Sequence, residues 1–436
     1  PVSGFTADEI IVTNGAAANF RDTGAGQIYE ADVTPAANGL VKINVAANAA
    51  ADVSGNPNLT GSELILAVDY DRPVIDISAN IASPTNAALI PVKITFNEAV
   101  SGFSADEISV TNGNVGNFRE VTAGHVWEAD ITPSGSGVVK ISIGAGIAFD
   151  AVGNSNLAAD DFSMLVDTIR PSVEITSVAA SPVSVSPIPF QIEFSEPVVG
   201  FDSADIQVIN GAVVGFQAVE AGRVWSAGIV PVTSGTVAVS LPEMAASDLV
   251  GNSSLATDTL QLIYDNEVPV VVKVTCSKAD GQYGVGSQIN IGVEFSESVV
   301  VAPAGALPVL KLETGPQDRI ATYTGGTGSK VLNFLYIVGE SDNSSDLDYQ
   351  SSEALVLNGS TIKDSAGNDA SLTLPTPGTS GSLAFSRSIV IDTVAPTVVL
   401  SNLPPARTNQ RNFSITVGGE GVVLYRWRMD GYSWST

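Results

Sequence analysis

Cysteine is almost missing. Cys276 is the only one in 436 residues, so no intrachain disulfide can form. Domains of about 100 residues build enough core to manage without one. Cys276 ends a run of alternating character and is expected as a small buried side chain. Histidine also occurs once, as His125, which excludes a His-containing catalytic triad or His-ligated zinc site in every repeat. No apolar stretch is long enough to span a bilayer as a helix. No window keeps the three-and-four spacing of an amphipathic helix, so almost no helix is expected. Cationic residues are scarce: 19 against 46 acids, a net charge of −27. Such a surface repels phosphate backbones and argues against nucleic acid as a partner.

What is present is β-forming. Hydrophobic residues reach 44%, enough for real cores, while 41 Gly and 23 Pro punctuate short runs rich in Val, Ile, Thr and Ser. That mixture favours many short strands joined by tight turns.

An internal period organises the chain. Gly4, Gly102 and Gly200 are 98 apart; so are Asn14, Asn112 and Asn210, each followed by Gly. Phe20, Phe118 and Phe216 keep the same step, as do Gly55, Gly153 and Gly251, and Pro73, Pro171 and Pro269. One repeat has the size of a β-sandwich domain. The domains are expected at 1–69, 70–167, 168–265, 266–392 (a longer variant) and 393–436 (partial). In the complete second repeat the pattern predicts seven strands, at 74–78, 90–96, 107–111, 115–120, 126–131, 138–143 and 162–166. Asn112-Gly113 reads as a hairpin turn in which both residues take positive φ. Pro1 aligns with Ala99 and Pro197, so the first repeat lacks its first two strands. A fragment of a longer chain is expected, with strand donation by a neighbouring subunit as the alternative.

Strand direction then groups the acids. In a seven-strand sandwich of alternating strands, the start of the first strand, the loop after the second and the loop before the seventh share one end, which faces the preceding domain. Glu98 and Glu196 follow the second strand; Asp150 and Asp248 open the last loop; Asp69, Asp167 and Asp265 enter the linkers. The expected joints are therefore Asp69 with Glu98 and Asp150, Asp167 with Glu196 and Asp248, and Asp265 with Glu297 and Asp364. Asp392 stands at a fourth joint. Converging carboxylates with no lysine nearby repel one another, and a divalent cation removes that cost. Calcium suits them, because it takes six to eight oxygen ligands, whereas magnesium demands tighter geometry. The plainer alternative is that each Asp only caps its own turn, since Asp-x-x-Gly-Asn is ordinary turn chemistry. The acidic run from Glu340 to Asp348 reads either as a further calcium loop or as a solvated loop. Each linker ends in Pro, as in Asp69-Tyr-Asp-Arg-Pro73, so the joints are stiff and an extended rod is expected.

The stretches Phe96-Asn-Glu-Ala-Val-Ser-Gly-Phe, Phe149-Asp-Ala-Val-Gly-Asn and Val166-Asp-Thr-Ile-Arg-Pro resemble bacterial immunoglobulin-like repeats of large surface and secreted proteins, adhesins among them. The resemblance implies an all-β fold of tandem immunoglobulin-like β-sandwiches, extracellular or cell-surface display, stalk or filament architecture and calcium at domain junctions. Ala204 departs from Asp8 and Asp106 and stays outside the metal set. The partners implied are neighbouring domains or subunits of the same protein, with a surface glycan or protein as a further partner. Three functions stay open: a structural stalk, an adhesive module acting through domains four or five, and an accessory region of a secreted polysaccharide-acting enzyme. The repeated acids map to joints rather than to one cleft, so no catalytic residue is assigned. Trp127 and Trp225 are expected in the cores; Trp427, Tyr432 and Trp434 are the better candidates for ligand stacking.

Overall fold

The computed structural model describes residues 1–409 and 412–421; Trp427, Tyr432 and Trp434 lie outside the described residues. Two compact units are formed. One comprises Pro1–Pro171, Glu196–Gly200 and Met244–Leu255; the other comprises Ser172–Ser195, Phe201–Glu243 and the described residues from Ala256.

The second repeat, in the first unit, is a two-sheet sandwich. Strands Ile75–Ala79, Ile90–Phe96, Val126–Pro133 and Gly113–Thr122 form one sheet, in the spatial order Gly113–Thr122, Val126–Pro133, Ile90–Phe96, Ile75–Ala79. Ile108–Thr111, Gly137–Ile143 and Phe162–Val166 form the other. All pairings are antiparallel. This four-plus-three division is the constant-type immunoglobulin arrangement. Its cause is visible in the alternation of Ile90–Phe96: Ile90, Val92, Ile94 and Phe96 are buried, while Pro91 and Lys93 are exposed. Ile131 lies beside them on the adjacent strand and Ile141 lies in the other sheet, both with no exposed surface. Burial of such a side chain contributes about 1.5–3 kcal/mol. Trp127 is buried against Phe96 and Phe103, with ring centroids 5.3 and 5.2 Å away.

Two local expectations are corrected. The third strand begins at Ile108, because Ala105–Glu107 forms a 3-10 turn whose start is bonded by the Glu107 carboxylate. Asn112-Gly113 does not close a hairpin: it carries the chain from one sheet to the other. Only Asn112 has positive φ, at 58°. Gly113 is needed for space, since a Cβ there would lie 3.1 Å from Thr132 O and Ile131 Cγ2.

In the second unit, strands from Val173–Thr176 to Leu260–Tyr264 repeat the four-plus-three pattern. Trp225 is buried there with Phe194 and Phe201. Residues 271–392 form a larger sandwich with two long strands, Gln288–Ala302 and Ser329–Ile337, one parallel pair, Gly281–Tyr283 with Ile389–Asp392, and one helical turn, Leu383–Ser386. Cys276 is buried in its core. In the first repeat only Gly15–Asp22 and Tyr29–Pro35 stand where the second has four strands, and Leu64 and Leu66 are exposed.

Candidate metal centres at the domain joints

Each centre begins with a loop. In Asp150–Asn154, Asp150 Oδ1 accepts the backbone N–H groups of Val152, Gly153 and Asn154 at 2.9, 2.7 and 2.8 Å. Asp248 does the same with Val250, Gly251 and Asn252. Asp364 accepts from Asn368 N at 2.9 Å. These are the turn-capping roles that the residue pattern allows. Asp150, Asp248 and Asp364 are all buried.

The loop is pinned beside the strand that delivers the glutamate. Ser101 and Phe149 form an antiparallel bridge near Glu98 and Asp150. Val198–Val199 pairs with Ser247–Asp248 near Glu196, and Val300–Ala302 pairs with Thr361–Lys363 between Glu297 and Asp364. The linker is then tied to the loop. Asn154 Nδ2 donates to the backbone carbonyl of Asp69 at 3.0 Å, Asn252 to that of Asp167 at 2.9 Å, and Asn368 to that of Asp265 at 2.9 Å.

Three trios result, as the strand directions required: Asp69, Glu98 and Asp150; Asp167, Glu196 and Asp248; Asp265, Glu297 and Asp364. In each, one carboxylate oxygen per residue lies within 4.8 Å of the others. The three glutamates make no hydrogen bond or ion pair among the described residues, whereas Asp150, Asp248 and Asp364 are held by protein donors. Burial, then Asp150, Asp69 and Asp71, push the Glu98 carboxyl above its ordinary pKa. Burial, then Asp248 and Asp167, do the same to Glu196. Burial, then Asp265, Asp364 and Glu267, raise Glu297, opposed by Lys330. Burial also raises Asp150 and Asp248, but the Asn154 and Asn252 amides and the loop N–H groups outweigh it and hold both below their usual values.

Other sequence-based expectations fare differently. The third trio is not free of lysine, since the Lys330 ammonium acts on Glu297. Asp392 belongs to no such trio among the described residues: it accepts from Gln282 and from Val394 N. It shares a surface pocket with Glu420, which follows Thr416–Gly418 by two residues as Glu98 follows Ile90–Phe96. The sequence reading missed Glu420, and it missed Asp71 and Glu267. The last two were detectable, because each stands two residues after a linker aspartate, Asp69 or Asp265, although the same position in the second linker is Ile169. In the run from Glu340 to Asp348, Glu340 and Asp346 are exposed, as a solvated loop would have them, but Asp342 and Asp348 are not open carboxylates. Asp342 is buried and accepts from Arg319 Nε at 2.8 Å, Tyr336 Oη at 2.7 Å and Gly339 N at 2.7 Å. Asp348 is buried and accepts from Tyr349 N and Gly378 N.

A carboxylate oxygen that accepts one N–H keeps a further lone pair. The trios therefore offer hard oxygen donors with two donor groups already oriented and a third, the glutamate, uncommitted. Such a set fits calcium, with backbone carbonyls and water able to complete the coordination.

The family model for the bacterial Ig-like domain matches three times in tandem, over residues 1–68, 69–166 and 167–264. The chain belongs to the bacterial Ig-like domain family. No curated protein matches it. Among solved structures it is similar to the Escherichia coli adhesin FdeC at 11% identity and a TM-score of 0.29, covering 75% of this chain and 98% of that one. It is also similar to Yersinia pseudotuberculosis InvD, at 12% identity and a TM-score of 0.26, covering 68% and 98%. The S-layer protein rSbsC matches at 11% identity and 0.22, covering 96% of this chain and 60% of that one. Likenesses this slight carry no argument about function. Among the described residues no helix is long and apolar enough to cross a membrane.

Proposed function

We propose that these repeats form a non-enzymatic stalk segment of a bacterial surface or secreted protein, and that calcium held by the three carboxylate trios stiffens its joints. The supporting observation is the recurrence of one arrangement. A linker aspartate, a glutamate after the second strand and a loop aspartate converge three times in residues far apart in sequence. A turn-capping role accounts for Asp150, Asp248 and Asp364, but not for the unbonded Glu98, Glu196 and Glu297 beside them. Metal binding gives those glutamates a counter-charge and ties the linker to the following sandwich. A ligand that binds only the folded, assembled joint stabilises it by mass action.

The test is calcium titration of the whole chain by calorimetry, with thermal unfolding in parallel. Saturable binding at three sites and a rise in melting temperature, reversed by chelator, are expected. No heat of binding and no shift at millimolar calcium would remove the reading.

A further inference from the structure

Besides the carboxylates, the linkers carry a second, cationic contact. Arg72 lies just before Pro73. Its Nε donates to Ser155 O at 2.7 Å, and its Nη2 donates to Asn156 O at 2.8 Å and to Ser155 Oγ at 3.1 Å. Arg170, 98 residues later, repeats this with Ser253 O at 2.7 Å and Ser254 O at 2.8 Å. Both arginines thus grip two consecutive backbone carbonyls of the loop that carries the buried aspartate. At the third joint the equivalent residue is Val268, which is exposed, and the equivalent loop positions are Asp369 and Ala370. One bond from the preceding sandwich reaches that loop instead: Ser184 Oγ donates to Ala366 O at 2.7 Å.

The other end of the linker is held alike in all three joints. Tyr70 N donates to Asn38 Oδ1, Thr168 N to Ser136 Oγ, and Asn266 N to Ser234 Oγ. Positions 38, 136 and 234 again keep the 98-residue step. The joints therefore differ in the arginine, replaced at the third by the Ser184 bond, and not in how the linker is held to the preceding sandwich.

We propose that the linker arginine is a cation-independent latch, present at the first and second joints and absent from the third, so that the third joint is the compliant one when no metal is bound. The physical basis is geometric. A planar guanidinium bonded to two neighbouring carbonyls fixes both position and orientation, and a charged donor makes stronger bonds than a neutral one. A single hydroxyl bond, as from Ser184, leaves rotation about it free. This proposal does not rest on calcium binding, since the arginine bonds it uses go to backbone carbonyls and the Ser155 hydroxyl.

The test uses the full chain in chelator, with spin labels on introduced cysteines at exposed strand positions. Thr13 and Ser163 flank the first joint; Gln261 and Lys311 flank the third. Cys276 is buried and escapes labelling. A single narrow distance distribution is expected for the first pair and a broad one for the second. Arg72→Val should turn the first distribution broad, and Val268→Arg should narrow the second. Equal widths for the two pairs in the parent protein, or an Arg72→Val variant that folds with its first distribution still narrow, overturns the latch. Calcium is added last. If it fails to narrow the second pair, the calcium reading falls while the arginine comparison stands.

Discussion

The side-chain amide of Asn154 donates one hydrogen to the backbone carbonyl of Asp69, at 3.0 Å, and the other to the Asp150 carboxylate, at 2.8 Å. One residue thereby sets the distance between a linker and the loop of the next sandwich. Asn252 and Asn368 hold the same place at the later joints. The amide orients an acid and a carbonyl with its own two donors, which leaves the glutamate as the group that answers to a ligand.

Glu98→Gln should therefore separate metal binding from folding. Glu98 makes no structural bond among the described residues, unlike Asp150. The variant should lose one of the three calcium sites in calorimetry and, in chelator at neutral pH, melt no lower than the parent, because it removes an ionised carboxyl whose burial and acidic neighbours cost stability. Asp150→Asn should lower the melting temperature even without calcium, because a neutral amide oxygen is a weaker acceptor for the three N–H groups it caps.

The raised pKa values of Glu98, Glu196 and Glu297 set the sign of a pH effect in the metal-free protein. A carboxyl whose folded pKa lies above its unfolded value binds more protons when folded, so its ionisation costs stability as pH rises through that window. Asp150 and Asp248 have lowered values and act oppositely, contributing stability that is lost as pH falls through their folded pKa. Thermal unfolding in chelator should show stability falling from mildly acidic to neutral pH and falling again in strong acid. Replacing all three glutamates with glutamine should abolish the first loss and leave the second. Persistence of both would refute the assignment.

The three joints should fill unequally. Asp71 and Glu267 add a fourth negative charge beside Glu98 and Glu297, while position 169 is Ile. Calcium affinity rises with the number of charged ligands and neighbours. Calorimetry should resolve a weaker site at the second joint than at the first, while at the third Lys330 offsets Glu267. Ile169→Asp should tighten the second site, and Asp71→Asn should loosen the first. A second site as tight as the first would contradict the charge argument.

Asp342 is expected to matter for folding alone. Its side chain is 1% exposed and accepts from Arg319, Tyr336 and Gly339. Breaking such a buried pair costs about 3–5 kcal/mol. Arg319 is 39% exposed, so water takes over part of its solvation and the lower end applies. Asp342→Ala should reduce hydrogen-exchange protection in Gln288–Ala302 and Ser329–Ile337 on the order of a hundredfold, without changing calcium stoichiometry.

Much of the fold was legible because it repeats. Ile90, Val92, Ile94 and Phe96 alternate inward by their own pattern, and the 98-residue step carries that pattern into the third repeat. Strand directions alone grouped the trios, since alternating strands must return their loops to the same end. Asn112-Gly113 was misread because turn chemistry is local. The same dipeptide serves a hairpin or a crossing between sheets, and only strand pairing distinguishes them.

The residue order by itself determined the domain type, the number of repeats and which acids share an end. Those properties follow from periodicity and strand direction. Tertiary structure alone decided which carboxylates are committed. The acids of the run from Glu340 to Asp348 look as available as those of the joints, yet Asp342 and Asp348 are taken by donors from Arg319 and Gly378, residues distant in the chain. Glu98 keeps no such donor among the described residues. A hydrogen bond between remote positions depends on packing, and no local pattern of residues encodes it.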